Sequence, residues 1–182
     1  MALQQSQMEM AVTSKQEFLT FIIGREQFGV EIQRVQEIRG WERPNPLPNV
    51  PPFVKGVVDL RGNIVPIIDL RERFRLKAEY KPTTVVIVVH VLTSQGERTV
   101  GLVVDAVSDV KTFDINSLQP PPDTSTDIKA QFIIGLASIE STEQSRAADS
   151  AAKVKASRMV VLVNIDRLVN EGLIEEITSD LP

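Results

Sequence analysis

Apolar residues alternate with polar ones near the start of the chain at the period of a half-buried strand. Leu19, Phe21 and Ile23 form one such set and Phe28, Val30 and Ile32 another, with Gly24-Arg25-Glu26-Gln27 between them as a hairpin loop. Val35 to Ile38 continues as strand or as one helical turn, which spacing over so few residues does not separate. Pro44, Pro46, Pro48, Pro51 and Pro52 each remove a donor and fix φ, so Arg43 to Pro52 is an extended connector. Val57 to Leu60 and Ile64 to Leu70 flank Arg61-Gly62-Asn63 as a second hairpin, and Pro66 implies an edge or bulge in the returning strand. Arg71 to Phe74 reads as a single helical turn. Thr83 to Leu92 is a long β-branched run, which favours a buried strand over a helix. Ser94-Gln95-Gly96-Glu97 turns it into Thr99 to Val104, and Val110 to Phe113, Phe132 to Ile139 and Met159 to Ile165 follow as strands. Ile165 to Ile177 suggests a C-terminal helix with Asp166 near its start.

These elements repeat. Phe28-Gly29-Val30-Glu31-Ile32 and Val35-Gln36-Glu37-Ile38 return 72 residues later as Val100-Gly101-Leu102-Val103-Val104 and Val107-Ser108-Asp109-Val110. Phe53-Val54-Lys55-Gly56-Val57 is echoed by Phe132-Ile133-Ile134-Gly135-Leu136, and Ile64 to Leu70 by Met159 to Ile165. The order is the same in both halves. Two copies are too few for a solenoid, so the pattern points to a mainly β chain of two small barrels. Each half is near the lower size limit for an independent core, so the copies are expected to share apolar surface. A groove between them is the natural binding place. The first copy covers about residues 17–75 and the second about 83–168, after a flexible tail at 1–15, and an exchange of strands between them stays open. The copies differ in one insertion, Glu140 to Ser157, whose Ser, Ala, Glu, Lys and Gln read as a mobile loop at 140–157.

Composition narrows the chemistry. The 182 residues include no cysteine, which removes disulfides, thiolate catalysis and cysteine metal sites. No apolar run approaches the ~18 residues of a membrane span, and Met1 to Ser14 lacks the pattern of a secretory signal. A net charge of −4 with interspersed signs, one Trp and one Tyr argue against a nucleic-acid surface. No phosphate-binding glycine motif is present.

Candidate catalytic groups have blander explanations. His90, the sole histidine, has no nucleophile context, and a strand residue facing solvent accounts for it. Asp59 with Asp69, and Asp105 with Asp109, could be read as acid pairs of a hydrolase. Each of these residues sits at a strand end beside Arg, Val or Leu, where turn or pairing roles suffice. Arg61 differs: the turn residue Gly62 places it at a hairpin tip, from which it can make a binding contact or pair with Glu37 across the groove.

Glu17-Phe18-Leu19, Phe28 to Ile32, Val35-Gln36-Glu37-Ile38-Arg39-Gly40, Phe53 to Val57, Leu60-Arg61-Gly62, Ile64 to Leu70, Gly101 to Val110 and Gly135-Leu136 together resemble the CheW family of chemotaxis coupling proteins. The resemblance covers nearly everything but the tail and the inserted loop. It implies two tandem SH3-like five-stranded β-barrels packed on a shared core, with short helices and a C-terminal helix. It implies a cytoplasmic, non-enzymatic adaptor without a cofactor, recruited to membrane-associated receptor arrays without inserting in the membrane. Its partners would be the regulatory domain of a CheA-type histidine kinase and the cytoplasmic tip of methyl-accepting chemoreceptors. The same role in a pili or surface-behaviour system is the alternative. Carried over by position, the receptor groove would involve Leu19, Ile32, Val35, Glu37, Ile38 and Arg61, with core packing as the competing account of Ile32, Val35 and Ile38. Kinase contacts would lie at barrel ends near Gly56, Val57 and Gly101. The long 140–157 loop departs from the family's short hairpin.

Overall fold

A computed structural model describes residues 14–93, 95–121, 132–139 and 158–170 of the chain. The expected tail as far as residue 13, the loop at 140–157 and the C-terminal helix beyond Asn170 lie outside these residues. Among the described residues ten strands form: β1 (Lys15–Ile23), β2 (Glu26–Glu31), β3 (Val35–Gly40), β4 (Val54–Leu60), β5 (Asn63–Asp69), β6 (Val85–Thr93), β7 (Gly96–Val104), β8 (Ala106–Asp114), β9 (Ile133–Ile139) and β10 (Arg158–Val163). A 3₁₀ turn, Ile32–Arg34, links β2 to β3; helical segments at Leu70–Arg73 and Ile165–Asn170 follow β5 and β10. Lys15 already belongs to the sheet, paired with Asp114.

The strands form two five-stranded sheets, ordered β8-β1-β2-β10-β9 and β3-β6-β7-β5-β4. Exchanging each strand for its equivalent in the other copy converts one order into the other. Each copy therefore lends its first hairpin to the other copy's sheet. A barrel in space is not a contiguous stretch of chain, and every link between β2 and β3 or β7 and β8 crosses from one barrel to the other.

The repeat reappears in the pairing register. In the second sheet Ile67 stands between Gly101 and Gly56; in the first, Leu162 stands between Gly29 and Gly135. A Cβ at Gly101 would come within 2.6 Å of Ile67 Cδ1, and one at Gly29 within 2.7 Å of Leu162 Cδ2. The glycines make room for the large aliphatic beside them. Each sheet then curls closed by a two-bond bridge from the connector that follows its edge strand. Asn45 and Val57 exchange N–H···O bonds of 2.9 and 2.8 Å, as do Gln119 and Leu136.

Alternation along the strands fills three apolar clusters. Val86, Val88 and Val103 face inward with Leu60, Val65 and Ile67 in one barrel. Phe18, Phe113, Ala137, Val160 and Leu162 fill the other. The opposite faces of the same strands, including Leu19, Phe21, Ile87, Val89 and Leu102, meet in a larger cluster drawn from both copies. The run Thr83 to Leu92 lacks polar alternation because β6 is buried on both sides.

Pro66 lies on β5, an interior strand in the sheet order. Pairing of β5 with β7 begins only at Ile67, and Val57 opposite Pro66 gives both its backbone groups to Asn45. The missing N–H therefore falls where β5 is locally an edge.

One buried charge cluster ties the copies together. Arg71, 1% exposed, forks onto Asp69 with Nε–Oδ1 and Nη2–Oδ2 distances of 2.9 Å and donates from Nη1 to Asp105 Oδ1 at 3.0 Å. Burial alone would lower the pKa of Arg71, but its bonds to Asp69 and Asp105 raise it above the ordinary value. Tyr80 stacks on Trp41, lies against Arg71 and donates its hydroxyl to Asp69 Oδ2 at 2.9 Å. Burial first, and then the Asp69 carboxylate, push the Tyr80 phenol well above its ordinary 10.0. Because Tyr80 is the sole tyrosine, phenolate absorbance reads it alone. We expect the native chain to titrate at clearly higher pH than the urea-unfolded chain. The folded value being the higher one, this contribution to stability is complete below about pH 10 and falls as pH rises above it, where the unfolded chain ionises first. Tyr80 is 43% exposed as a whole, so coincident titration curves in the two states would contradict the bond of its hydroxyl to Asp69.

Candidate functional site at the barrel crossover

The chain passes from the first sheet to the second at Ile32–Arg34. The turn is short, closed by a bond from the Val35 N–H to the Ile32 carbonyl. Ile32 and Val35 are half-buried and pack their inner sides against the shared core. On β3, Val35 pairs with Val89 but Glu37 pairs with Val88, a bulge that resets the alternation. Beyond it Glu37 is half-buried, and Ile38 projects outward, 46% exposed.

The β4–β5 hairpin brings the cation. Arg61 and Gly62 both have positive φ, 54° and 86°, as the two-residue turn matching the twist of its flanking strands requires. Asp59 Oδ1 accepts the Gly62 N–H at 2.8 Å and holds the turn. Arg61 Nη2 then lies 3.6 Å from Glu37 Oε2, with the arginine largely in solvent. Such a pair contributes about 1 kcal/mol or less to stability, so its value lies in what it presents. Glu37 Oε1 is buried without a hydrogen-bond partner among the described residues.

Ile32, Val35, Glu37, Ile38 and Arg61 thus come from the crossover, its strand and the neighbouring hairpin tip. Leu19 is placed differently: at 4% exposure it lies in the shared core and supports the crossover from beneath. Gly56 and Gly101 are buried, and their close backbone approaches account for them; Val57 is half-exposed on β4. Asp59 and Asp69 stand at opposite ends of one hairpin, the first holding a turn and the second, fully buried, bound to Arg71 and Tyr80. His90 is on β6, its Nδ1 3.7 Å from Glu97 Oε1.

Arg34 and Asp166 form a contact across the crossover that spacing along the chain does not suggest. Arg34 Nη2 donates to Asp166 Oδ2 at 2.8 Å and Nη1 to Oδ1 at 3.3 Å. Asp166 Oδ1 also accepts the Leu92 N–H at 2.8 Å. Asp166 reads in the sequence as an acidic residue near a helix start, and nothing there ties it to an arginine 132 residues earlier.

No helix among the described residues is long and apolar enough to cross a membrane. The family model of the CheW-like domain matches residues 17–172. The chain is 38% identical to the chemotaxis protein CheW of Klebsiella aerogenes over 159 residues, which span 87% of this chain and 84% of the relative. It is 37% identical to CheW of Rhizobium meliloti over 150 residues, 82% of this chain and 84% of the relative. The crystal structure of the scaffolding protein TtCheW from Thermoanaerobacter tengcongensis superposes with a TM-score of 0.67 at 29% identity, covering 85% of this chain and 92% of that one. Two five-stranded β-barrels on a shared core, matched nearly end to end in sequence and in structure, make this chain a member of the CheW-like family of non-enzymatic chemotaxis scaffolds.

Proposed function

We propose that the chain couples the cytoplasmic tip of methyl-accepting chemoreceptors to a CheA-type histidine kinase. What supports this reading is the crossover and its strand, which carry half-buried Ile32 and Val35, exposed Ile38, and Glu37 paired with Arg61. An amphipathic receptor helix buries its apolar stripe against such residues, and the charged pair sets register and excludes wrong partners. The kinase regulatory domain docks at a barrel end near Gly56, Val57 and Gly101, where Val57 is the one with side-chain surface to offer and the two glycines lie buried. The adaptor works in the cytoplasm, held at the membrane only through the receptor.

The test is titration of a soluble receptor-tip fragment from the same cell. We expect Arg61→Glu or Glu37→Arg to weaken binding about tenfold, the effect of losing roughly 1.4 kcal/mol, while the fold and kinase binding stay intact. The double reversal, Glu37→Arg with Arg61→Glu, should restore most of the pair's own contribution. Single reversals that leave receptor binding unchanged place the receptor elsewhere on the molecule.

A further inference from the structure

We infer that Asp166 is a positioning residue for the crossover Ile32–Val35, acting through Arg34 as the charge-reversed counterpart of the Arg71–Asp105 clasp. The inference deepens the receptor-surface reading above and rests on it for its functional consequence.

The two clasps occupy corresponding places, offset by one residue at the crossover, where the 72-residue repeat matches Asp105 with Gln33 and Arg34 with Ala106. Arg71 and Asp166 each stand two residues beyond equivalent strand-end residues, Asp69 and Asn164, whose N–H groups donate to Phe53 and Phe132 at 2.8 Å in both cases. Asp105 and Arg34 each sit at the crossover following an equivalent strand, β7 or β2. In the first clasp the helical segment supplies the arginine and the crossover the carboxylate, whose other oxygen accepts the Gly24 N–H at the β1–β2 tip at 2.7 Å. In the second, the helix supplies the carboxylate, which accepts the Leu92 N–H near the β6–β7 tip, and the crossover supplies the arginine. Either way one carboxylate joins an exchanged hairpin to an arginine across the inter-barrel boundary. The job is the same and the signs are swapped.

The second clasp differs in its surroundings. Arg71 is sealed in the interior, whereas the Arg34 and Asp166 side chains are about a quarter exposed, 25% and 24%. Arg34 belongs to the 3₁₀ turn itself, between Ile32 and Val35, and its guanidinium also reaches the His90 carbonyl at 3.5 Å and Glu31 at 3.9 Å. A three-residue turn does not fix its own orientation. The fork onto Asp166 ties this one to the helix that follows β10, the neighbour of β2 in the first sheet, and through the Leu92 N–H to β6 of the second, and so sets where Ile32 and Val35 stand.

The test uses the full chain with Asp166→Asn and with the charge-swapped pair Arg34→Asp/Asp166→Arg. Amide hydrogen exchange is read at Val35 and, as a folding control, along β4–β5; receptor-tip and kinase-domain affinities are titrated in parallel. We expect Asp166→Asn to speed Val35 exchange and weaken receptor-tip binding about fivefold to tenfold. The β4–β5 amides and kinase binding should hold, and the swapped pair should recover part of both losses, since the Leu92 N–H then lacks its carboxylate and the His90 carbonyl its donor. Unchanged Val35 exchange overturns the inference, as does faster exchange with unchanged receptor affinity. Should Asp166→Asn loosen the β4–β5 amides too, the swapped pair decides: Val35 protection above that of either of its single substitutions supports the clasp, and protection no better than theirs overturns it. A wild-type chain that does not bind the receptor tip overturns the adaptor reading instead, and the exchange measurement alone then decides whether Asp166 holds the turn.

Discussion

Replacing Arg71 with methionine should remove about 3–5 kcal/mol of stability, the usual cost of deleting one partner of a buried ion pair. The substitution strands Asp69, which is fully buried and takes two of its hydrogen bonds from that guanidinium. It also frees Asp105, which holds Gly24 at the exchanged hairpin's tip. Arg71→Lys should not rescue, because a single ammonium cannot make the planar two-point contact with Asp69 and still reach Asp105. Asp105→Asn should cost less, since that carboxylate is 37% exposed and regains water. Urea unfolding with an unchanged slope and a lowered midpoint is the expected readout. A midpoint within error of wild type would mean that the cluster does not secure the hairpin exchange.

Gly56→Ala should be nearly as damaging. The residue has φ of +140°, and a Cβ there would lie 2.0 Å from the Asn45 carbonyl oxygen, a backbone atom with no rotamer to change. Strain of about 1–3 kcal/mol for the backbone joins a similar overpacking cost, giving roughly 2–5 kcal/mol. The Asn45–Val57 bridge that closes the second barrel is what gives way. Gly40→Ala is the matched control: nothing lies within 4 Å of its added methyl group, and φ there is not in the left-handed range. Its stability should stay within about 0.5 kcal/mol. The comparison also bears on the kinase surface. If Gly56 acts only by closing the barrel, loss of kinase binding in Gly56→Ala should follow loss of stability and recover at lower temperature. A kinase defect in a fully folded Gly56 variant would mark a direct contact.

The two-copy architecture was legible because the repeat carries its own constraints. Gly29 and Gly101 must each face a large aliphatic, Leu162 and Ile67, and the same local packing keeps the same residue types at equivalent places of the two copies. Strand faces were legible from alternation at Leu19-Phe21-Ile23 and from the β-branched run at Val85 to Leu92. The reciprocal hairpin exchange was not. Alternation tells which face of β1 is buried and nothing about which copy buries it, and the 72-residue offset is the same for either partner. The crossover site divides on the same line. Glu37 and Arg61 suggested each other because a hairpin tip with Gly62 must project its arginine. Leu19 carries the apolar character of a groove residue, but a strand buried on both faces sends it inward. Arg34–Asp166 and Arg71–Asp105 span 132 and 34 residues, and before folding their charges look like those of any solvated surface.

Coupling of receptor to kinase is read out by co-sedimentation. Membranes carrying a chemoreceptor from the same cell are mixed with the CheA-type kinase and spun down with and without this chain. The kinase should reach the pellet only when the chain is present, and Arg61→Glu should raise about tenfold the chain concentration needed to bring it down, with the chain still bound to the kinase. Equal sedimentation of the kinase with and without the chain would contradict coupling through this chain.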